Sequence, residues 1–300
     1  MPTNRSYRTS VPALTAESWW RDFMLLTKFR LSLMVVFTSI IGYLIASAGG
    51  SNVFEIILLA VGGFLITGAS NALNQVLEKD YDALMTRTAD RPLPTGRMSI
   101  SEGVFIAGVM AVSGLVILAG FNVPTALLGS IAFVSYAFIY TPLKRFTSLS
   151  VLVGAVPGAL PAAIGYTAFN GEFGPVAILL FSIQFIWQMP HFWSVGWLGY
   201  ADYEKAGYKL LPNMELGLGH HIGGYAFAYT LMLFPIVTLA WFLGYLPLSG
   251  LVGLLAANGY YAYKAWNLYR QNDRQAAKAL LYASLIYLPV AFIIIMISSR

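Results

Sequence analysis

Cysteine is absent from this 300-residue chain, which excludes disulfides, thiolate nucleophiles and Cys-ligated zinc or iron–sulfur centres. Charge is scarce as well. Asp, Glu, Lys and Arg supply 10% of the residues, and histidine occurs three times. So little charge leaves no polar surface for a soluble domain of this length. The 58% of hydrophobic residues instead gather in runs long enough for helices that cross a ~30 Å hydrocarbon layer. An all-α, polytopic membrane protein is therefore expected. The first stretch carries Arg5, Arg8, Glu17, Arg21 and Asp22 without a short apolar core and small-residue cleavage site, so a removable signal peptide is not expected. The net charge is +5, but the basic residues are scattered among short loops. That dispersion fits a lipid bilayer as the surrounding partner and argues against nucleic acid.

What is present is ordered. Apolar runs at 31–48, 53–72, 103–120, 123–140, 151–169, 175–198, 224–244, 247–268 and 279–298 predict nine transmembrane helices around a central cavity. With the N-terminus inside, 17 of the 18 basic residues fall on one side and Arg300 alone on the other. Lys and Arg near helix ends set orientation, so the expected topology has a cytoplasmic N-terminus and an outside C-terminus. The organisation expected is a cytoplasmic segment, 1–30, followed by one transmembrane domain, 31–300. Two inner loops, 73–102 and 199–223, are long and polar and are where function is expected. Both begin with acids and run into a basic residue and a Leu-Pro step, a pattern that resembles a duplicated four-helix unit.

The first loop region, Asn74 to Arg97, holds eight of the 31 formal charges directly behind an apolar segment. On a helix, Asn74, Glu78 and Asp82 share one face at i, i+4 and i+8, while Asp80 points away. Hard divalent cations take oxygen ligands, commonly one or two carboxylates plus substrate phosphate, so this stripe reads as half of a metal–diphosphate site. A solvated, charge-balanced helix end is the alternative. Arg87 and Arg91 follow at spacings that let a guanidinium fork face a phosphate, and Arg97 reads mainly as an inner-side anchor. The second loop offers Asp202 as a further oxygen ligand, with Glu204 on another helix face.

Pro190-His191-Phe192-Trp193 places a titratable ring at apolar depth, where it could bind metal, donate to an anionic substrate or move a proton. His220 and His221 look like surface residues and are left out of the site. Tyr136, Tyr140, Lys144 and Arg145 put phenol and cationic groups a turn apart at the inner interface. The Pro- and Gly-rich stretch from Gly154 to Gly165 predicts a helix that bends around a cavity or allows close helix contact.

Taken in order, these motifs resemble the UbiA-type intramembrane prenyltransferases, and within them the haem-prenylating branch, over nearly the whole chain. The family's Asn-x-x-x-Asp-x-x-x-Asp motif falls on Asn74, Glu78 and Asp82, with Glu in place of the first Asp. Met85-Thr-Arg87-Thr-Ala-Asp-Arg91-Pro92, Tyr140-Thr-Pro-Leu-Lys144-Arg145, Pro157-Gly158-Ala-Leu-Pro161 and the Pro-His-Phe-Trp sequence are also typical of that branch. Lys28-Phe-Arg30 is similar to the family's Lys-Pro-Arg without its proline.

The resemblance implies transfer of farnesyl from farnesyl diphosphate to a vinyl group of haem B, with hydration, giving haem O for terminal oxidases. It implies Mg²⁺ as cofactor, held by Asn74, Glu78 and Asp82 with Asp202 completing a weaker or shared site; haem B is a substrate. Asn74, Glu78, Asp82, Arg87 and Lys144 would be catalytic. Arg91, Tyr140, Arg145, His191, Asp202 and Lys28 would bind substrate. Haem A synthase or terminal-oxidase assembly proteins are implied partners, and a bacterial cytoplasmic membrane the implied location. A prenyltransferase acting on a quinone precursor, or a transporter, are the alternatives.

Overall fold

The structure, a computed structural model, describes residues 16–298. Arg5, Arg8 and Arg300, used above for topology, lie outside the described residues, as does the first half of the 1–30 segment. Among the described residues there are helices and no strands. A short amphipathic helix, α1 (Ala16–Leu26), leads into α2 (Phe29–Ser47), α3 (Val53–Asp82) and α4 (Ile100–Ala119). Next, α5 (Val123–Val134) passes through one π-helical stretch, Ser135–Tyr140, into the single turn α6 (Thr141–Leu143). Then come α7 (Ser150–Asn170), α8 (Pro175–Leu198), the short α9 (Tyr200–Lys205), α10 (His220–Phe242), α11 (Leu248–Gln271) and α12 (Arg274–Ser298).

Each predicted run is occupied by a long helix, and eight of these are long and apolar enough to cross a membrane. The remaining one, α11, is as long but carries Asn258, Lys264, Asn267 and Arg270, so its length fits a span while its composition is more polar. His220 and His221, expected in a loop, instead open α10, and their rings meet the carbonyls of Tyr269 and Pro212.

The lipid-facing surface follows from the sequence. Phe54, Phe105, Val112, Val116 and Phe242 are exposed, as apolar side chains on a bilayer-embedded bundle must be. At the centre lies α7. A Cβ on Gly165 would stand 1.8 Å from the Ser39 carbonyl oxygen, and one on Gly42 would stand 2.0 Å from that of Ala162. The backbones of α2 and α7 therefore touch, the close approach that small residues allow in membranes. Pro161 lies within α7, and its carbonyl accepts from Ser39 Oγ at 2.8 Å.

Two features of the fold set up the site. First, α3 runs ten residues past the predicted span, to Asp82. Its 30 residues measure roughly 45 Å, well over the ~30 Å hydrocarbon core, so the last turns emerge from the apolar layer. Second, the π-helical stretch re-aims the end of the fourth span. Thr141 closes it by donating both its N–H and its Oγ–H to the Tyr136 carbonyl, and Pro142 follows. Single π-turns recur where a helix must redirect functional side chains.

Candidate active site

Asn74, Glu78 and Asp82 lie along one face of α3 and are 1%, 3% and 0% exposed. Such burial demands partners for the carboxylates. Lys144 and Arg91 supply them, and a third cation, Lys28, holds the Asn74 amide oxygen. Lys28 Nζ donates to Asn74 Oδ1 at 2.9 Å, Lys144 Nζ stands 2.8 Å from Glu78 Oε1, and Arg91 Nη1 stands 2.7 Å from Asp82 Oδ2. Asn74 also donates to Glu78 Oε2 at 2.7 Å and to Thr141 Oγ at 3.2 Å, tying the stripe to the redirected end of the fourth span. Asp80 is exposed, off the stripe, as its position on the helix predicts.

Lys28 sits at the α1–α2 junction in the left-handed conformation, φ 47°. That junction is clamped from α3. Gln75, fully buried, donates to the carbonyls of Leu25 and Leu26 at 2.8 Å each, and Asn71 reaches the Thr27 carbonyl. Burial, and then the neighbouring charges of Arg91 and Lys144, lower the Lys28 ammonium from 10.5 to about 7, against the pull of Glu78 and Asp82. Arg97, by contrast, bridges buried Asp22 of α1 and exposed Asp90 at 3.1 Å each, which makes it an anchor of the loop.

The two polar loops close over this stripe. Thr86 N–H donates to Asp202 Oδ1 at 3.3 Å, Lys209 N–H donates to the Lys144 carbonyl at 2.8 Å, and Met85, Tyr203, Ala206 and Tyr208 form a small buried cluster. Arg87 is exposed and lies 4.6 Å over the Tyr203 ring, free of any carboxylate. Arg145 donates to Tyr81 Oη at 2.9 Å while its buried Nε has no hydrogen-bond partner. Lys144 Nζ lies over the rings of Tyr140 at 4.6 Å and Tyr208 at 5.7 Å. The Tyr140 ring fills space that a side chain at Gly154 would occupy.

Of the residues named from sequence, the structure therefore gathers Lys28, Asn74, Glu78, Asp82, Arg91, Tyr140 and Lys144, with Arg87, Arg145 and Asp202 at the rim. His191 stands apart on α8, its Nδ1 2.8 Å from Ser284 Oγ. Tyr208 was not singled out from sequence. Gly207, at φ 69°, turns the chain so that the Tyr208 hydroxyl is buried without a hydrogen-bond partner. Burial and the nearby Glu78 and Asp82 charges push its phenol pKa up. The one sequence signal for it is the Gly before it, which marks a turn without saying what it aims.

Two oxygens test whether the stripe suits a hard divalent cation. Asp82 Oδ1 is buried with no hydrogen-bond partner, and Glu78 Oε1 has the Lys144 charge beside it but no hydrogen bond. Together with the Asn74 amide oxygen they form an all-oxygen donor set, which fits Mg²⁺ carrying phosphate oxygens in its remaining positions. Among the described residues no three His, Asp or Glu side chains gather for a metal, so Asp202 is not part of a compact acid trio. Its Oδ1 joins the two loops by accepting from Thr86 N–H. Two carboxylates beneath five cations is an arrangement for a polyanion bound through metal.

This fold and site are those of an intramembrane prenyltransferase: residues 35–286 match the UbiA prenyltransferase family, and the chain belongs to it. It is 42% identical over 276 residues to the protoheme IX farnesyltransferase of Christiangramia forsetii, covering 91% of each chain. It is 39% identical to the protoheme IX farnesyltransferase of Flavobacterium psychrophilum, covering 91% of this chain and 92% of that one. The fold is shared with a solved structure of digeranylgeranylglyceryl phosphate synthase, at TM-score 0.75 and 16% identity over 93% of this chain and 98% of that one. It is shared also with a UbiA homologue from Archaeoglobus fulgidus bound to DMAPP and Mg²⁺, at TM-score 0.68 and 14% identity over 91% and 99%.

Proposed function

We propose that this protein transfers the farnesyl group of farnesyl diphosphate to a vinyl group of haem B and that water completes the product as the hydroxyethylfarnesyl side chain of haem O. The observation that carries the reading is the buried Glu78–Asp82 pair, with Asp82 Oδ1 left without a partner, beside Lys144 and Arg91 and with Lys28 on the neighbouring Asn74. The 42% identity to a protoheme IX farnesyltransferase supports haem as the acceptor.

Asn74, Glu78 and Asp82, with Asp202 at the rim, would hold Mg²⁺, which supplies Lewis-acid and template chemistry to the leaving diphosphate. The rest is done by the chain. Lys28, Arg91, Lys144, Arg87 and Arg145 neutralise the charge that grows on the leaving group, the electrostatic form of catalysis that needs preplaced donors. The allylic C–O bond breaks with its electron pair on the diphosphate, and the vinyl π pair of the acceptor forms the new C–C bond. The remaining cation takes hydroxide from water, whose proton is released. Tyr140 and Tyr208 present ring faces beside Lys144, where they can meet the allylic cation. The one-sided distribution of Lys and Arg supports a C-terminus outside and loops and an N-terminus on the cytoplasmic face of a bacterial membrane, where the diphosphate site would have water-soluble Mg²⁺ at hand. Haem A synthase or terminal-oxidase assembly factors would take the product.

The test is direct. Purified protein in detergent is given haem B, farnesyl diphosphate and Mg²⁺, and a porphyrin heavier by farnesyl plus hydroxyl is expected by mass spectrometry. Prenylation of a quinone precursor such as 4-hydroxybenzoate, with haem untouched, would show that the acceptor is wrong while the reaction class stands.

A further inference from the structure

The prenyl-transfer reading leaves one intramembrane group unused. His191 Nδ1 lies 2.8 Å from Ser284 Oγ, and that hydroxyl donates its single proton to the Leu281 carbonyl at 2.6 Å. With its proton on Leu281, the serine oxygen accepts, which assigns the imidazole proton to Nδ1 and the lone pair to Nε2. Among the described residues no protein group hydrogen-bonds Nε2. The ring is also fixed in rotation. It stacks on Trp187, with centroids 5.1 Å apart and planes at 22°, and the Trp187 indole N–H donates to the Ser284 carbonyl at 2.7 Å. His191 keeps accessible surface although it sits within the bundle.

We infer that His191 Nε2 is the axial ligand to the iron of the metalloporphyrin acceptor, held in the ligating tautomer by Ser284. This rests on the reading of haem as the substrate. A neutral imidazole whose other nitrogen donates to a fixed oxygen is the arrangement metal-ligating histidines use, because that hydrogen bond sets both tautomer and direction. Haem iron is a common partner for such a nitrogen. The bond is a coordinate one: the lone pair enters an open iron position, and neither proton nor electron is transferred.

The place of His191 agrees with this role. On α7, Gly154 abuts the Tyr140 ring, and Gly158, one turn on, abuts the Gln188 amide. Gln188 stands one turn before His191 on α8. The glycine stripe of α7 thus borders both the Tyr140–Lys144 end of the diphosphate site and the turn that leads to His191. A porphyrin anchored by its iron at His191 would meet the Trp187 and Phe192 rings that flank the imidazole.

The test uses the full chain in detergent with ferrous haem B and reads the iron–imidazole stretching band by resonance Raman. The wild type is expected to show the band, and His191→Ala and the bulkier His191→Gln to lack it, with free imidazole restoring it in His191→Ala. Ser284→Ala, which frees the tautomer, is expected to weaken haem binding about ten-fold. Metal-free protoporphyrin IX should bind wild type and His191→Ala alike. A band that persists in both His191 variants overturns the inference, as does an equal loss of affinity for haem and for metal-free porphyrin. A wild type that prenylates haem without the band sinks the ligation alone. One that prenylates no haem sinks the acceptor reading on which it rests.

Discussion

Removing Lys144 isolates what the buried ion pair does. Its Nζ lies 2.8 Å from Glu78 Oε1 and 3.1 Å from Oε2, with side chains 10% and 4% exposed. At that separation and an effective dielectric constant of ~20, the gross attraction is about 6 kcal/mol. Most of it offsets desolvation, so the pair adds little net stability while both members are present. Taking away one member is different, because Glu78 is then buried without its countercharge. Lys144→Met should lose about 3–5 kcal/mol, and at about 2–4 °C per kcal/mol the unfolding temperature in detergent should fall by on the order of 10 °C.

Glu78→Gln in the Lys144→Met background removes the orphaned charge and should regain most of the loss, leaving a coupling energy of about 2–3 kcal/mol. Added Mg²⁺ separates this account from simple packing. With Lys144 gone, the metal meets less repulsion at Glu78 and should stabilise Lys144→Met more than it stabilises the wild type. The assay is thermal unfolding by intrinsic fluorescence across the four proteins, with and without Mg²⁺. Equal unfolding temperatures for wild type and Lys144→Met, or a double variant no more stable than Lys144→Met, would refute the reasoning.

Glu78→Gln and Asp82→Asn should each abolish prenyl transfer while gel filtration still shows a folded protein; full activity in both would remove the metal assignment. Arg87 has no carboxylate partner and gives up only its cation–π contact with Tyr203, so Arg87→Ala should lower stability by no more than about 1 kcal/mol. It should still raise KM for the prenyl diphosphate about ten-fold, as loss of one charge-assisted hydrogen bond worth about 1.5 kcal/mol, read from initial rates. Gly165→Val puts a side chain into the Ser39 carbonyl and should prevent recovery of folded protein, whereas Gly108→Ala, with nothing within 4 Å of its Cβ, should leave yield unchanged.

The helices and the shared face of Asn74, Glu78 and Asp82 were legible because each depends on short-range pattern. Asn74, Glu78 and Asp82 are spaced by one turn, so a helix alone aligns them, and α3 extends far enough past the apolar run to do so. The apolar runs likewise mark helices whatever their neighbours are. The partners of the stripe were not legible in the same way. Lys28 was reached by resemblance, and the reason it reaches Asn74 lies in Gln75 and Asn71 gripping a turn some 45 residues earlier in the chain. Asp22 gave no sign of being buried, because its partner Arg97 is 75 residues away. Tyr208 enters through a left-handed glycine, and the tautomer of His191 depends on a serine 93 residues on. Contacts of that separation are set by how helices cross, which single-sequence periodicity does not encode.

That division bears on how the site works. Both acids on the α3 face have a basic partner, Arg91 from the first polar loop for Asp82 and Lys144 from the end of the fourth span for Glu78, while Lys28 from the α1–α2 junction holds the Asn74 amide. The same cations are the ones placed to receive diphosphate. On the proposed reaction, Glu78 and Asp82 would hold the metal while Lys28, Arg91 and Lys144 turn to the diphosphate, so that no charge would be left bare. Burying two carboxylates unpaired would cost several kcal/mol each, so a carboxylate pair in an apolar bundle needs such cations. The exchange also couples occupancy to closure. Lys144 is tied through its carbonyl to Lys209, and Arg91 lies in the loop whose Thr86 holds Asp202, so drawing these cations onto a diphosphate pulls on both loops at once.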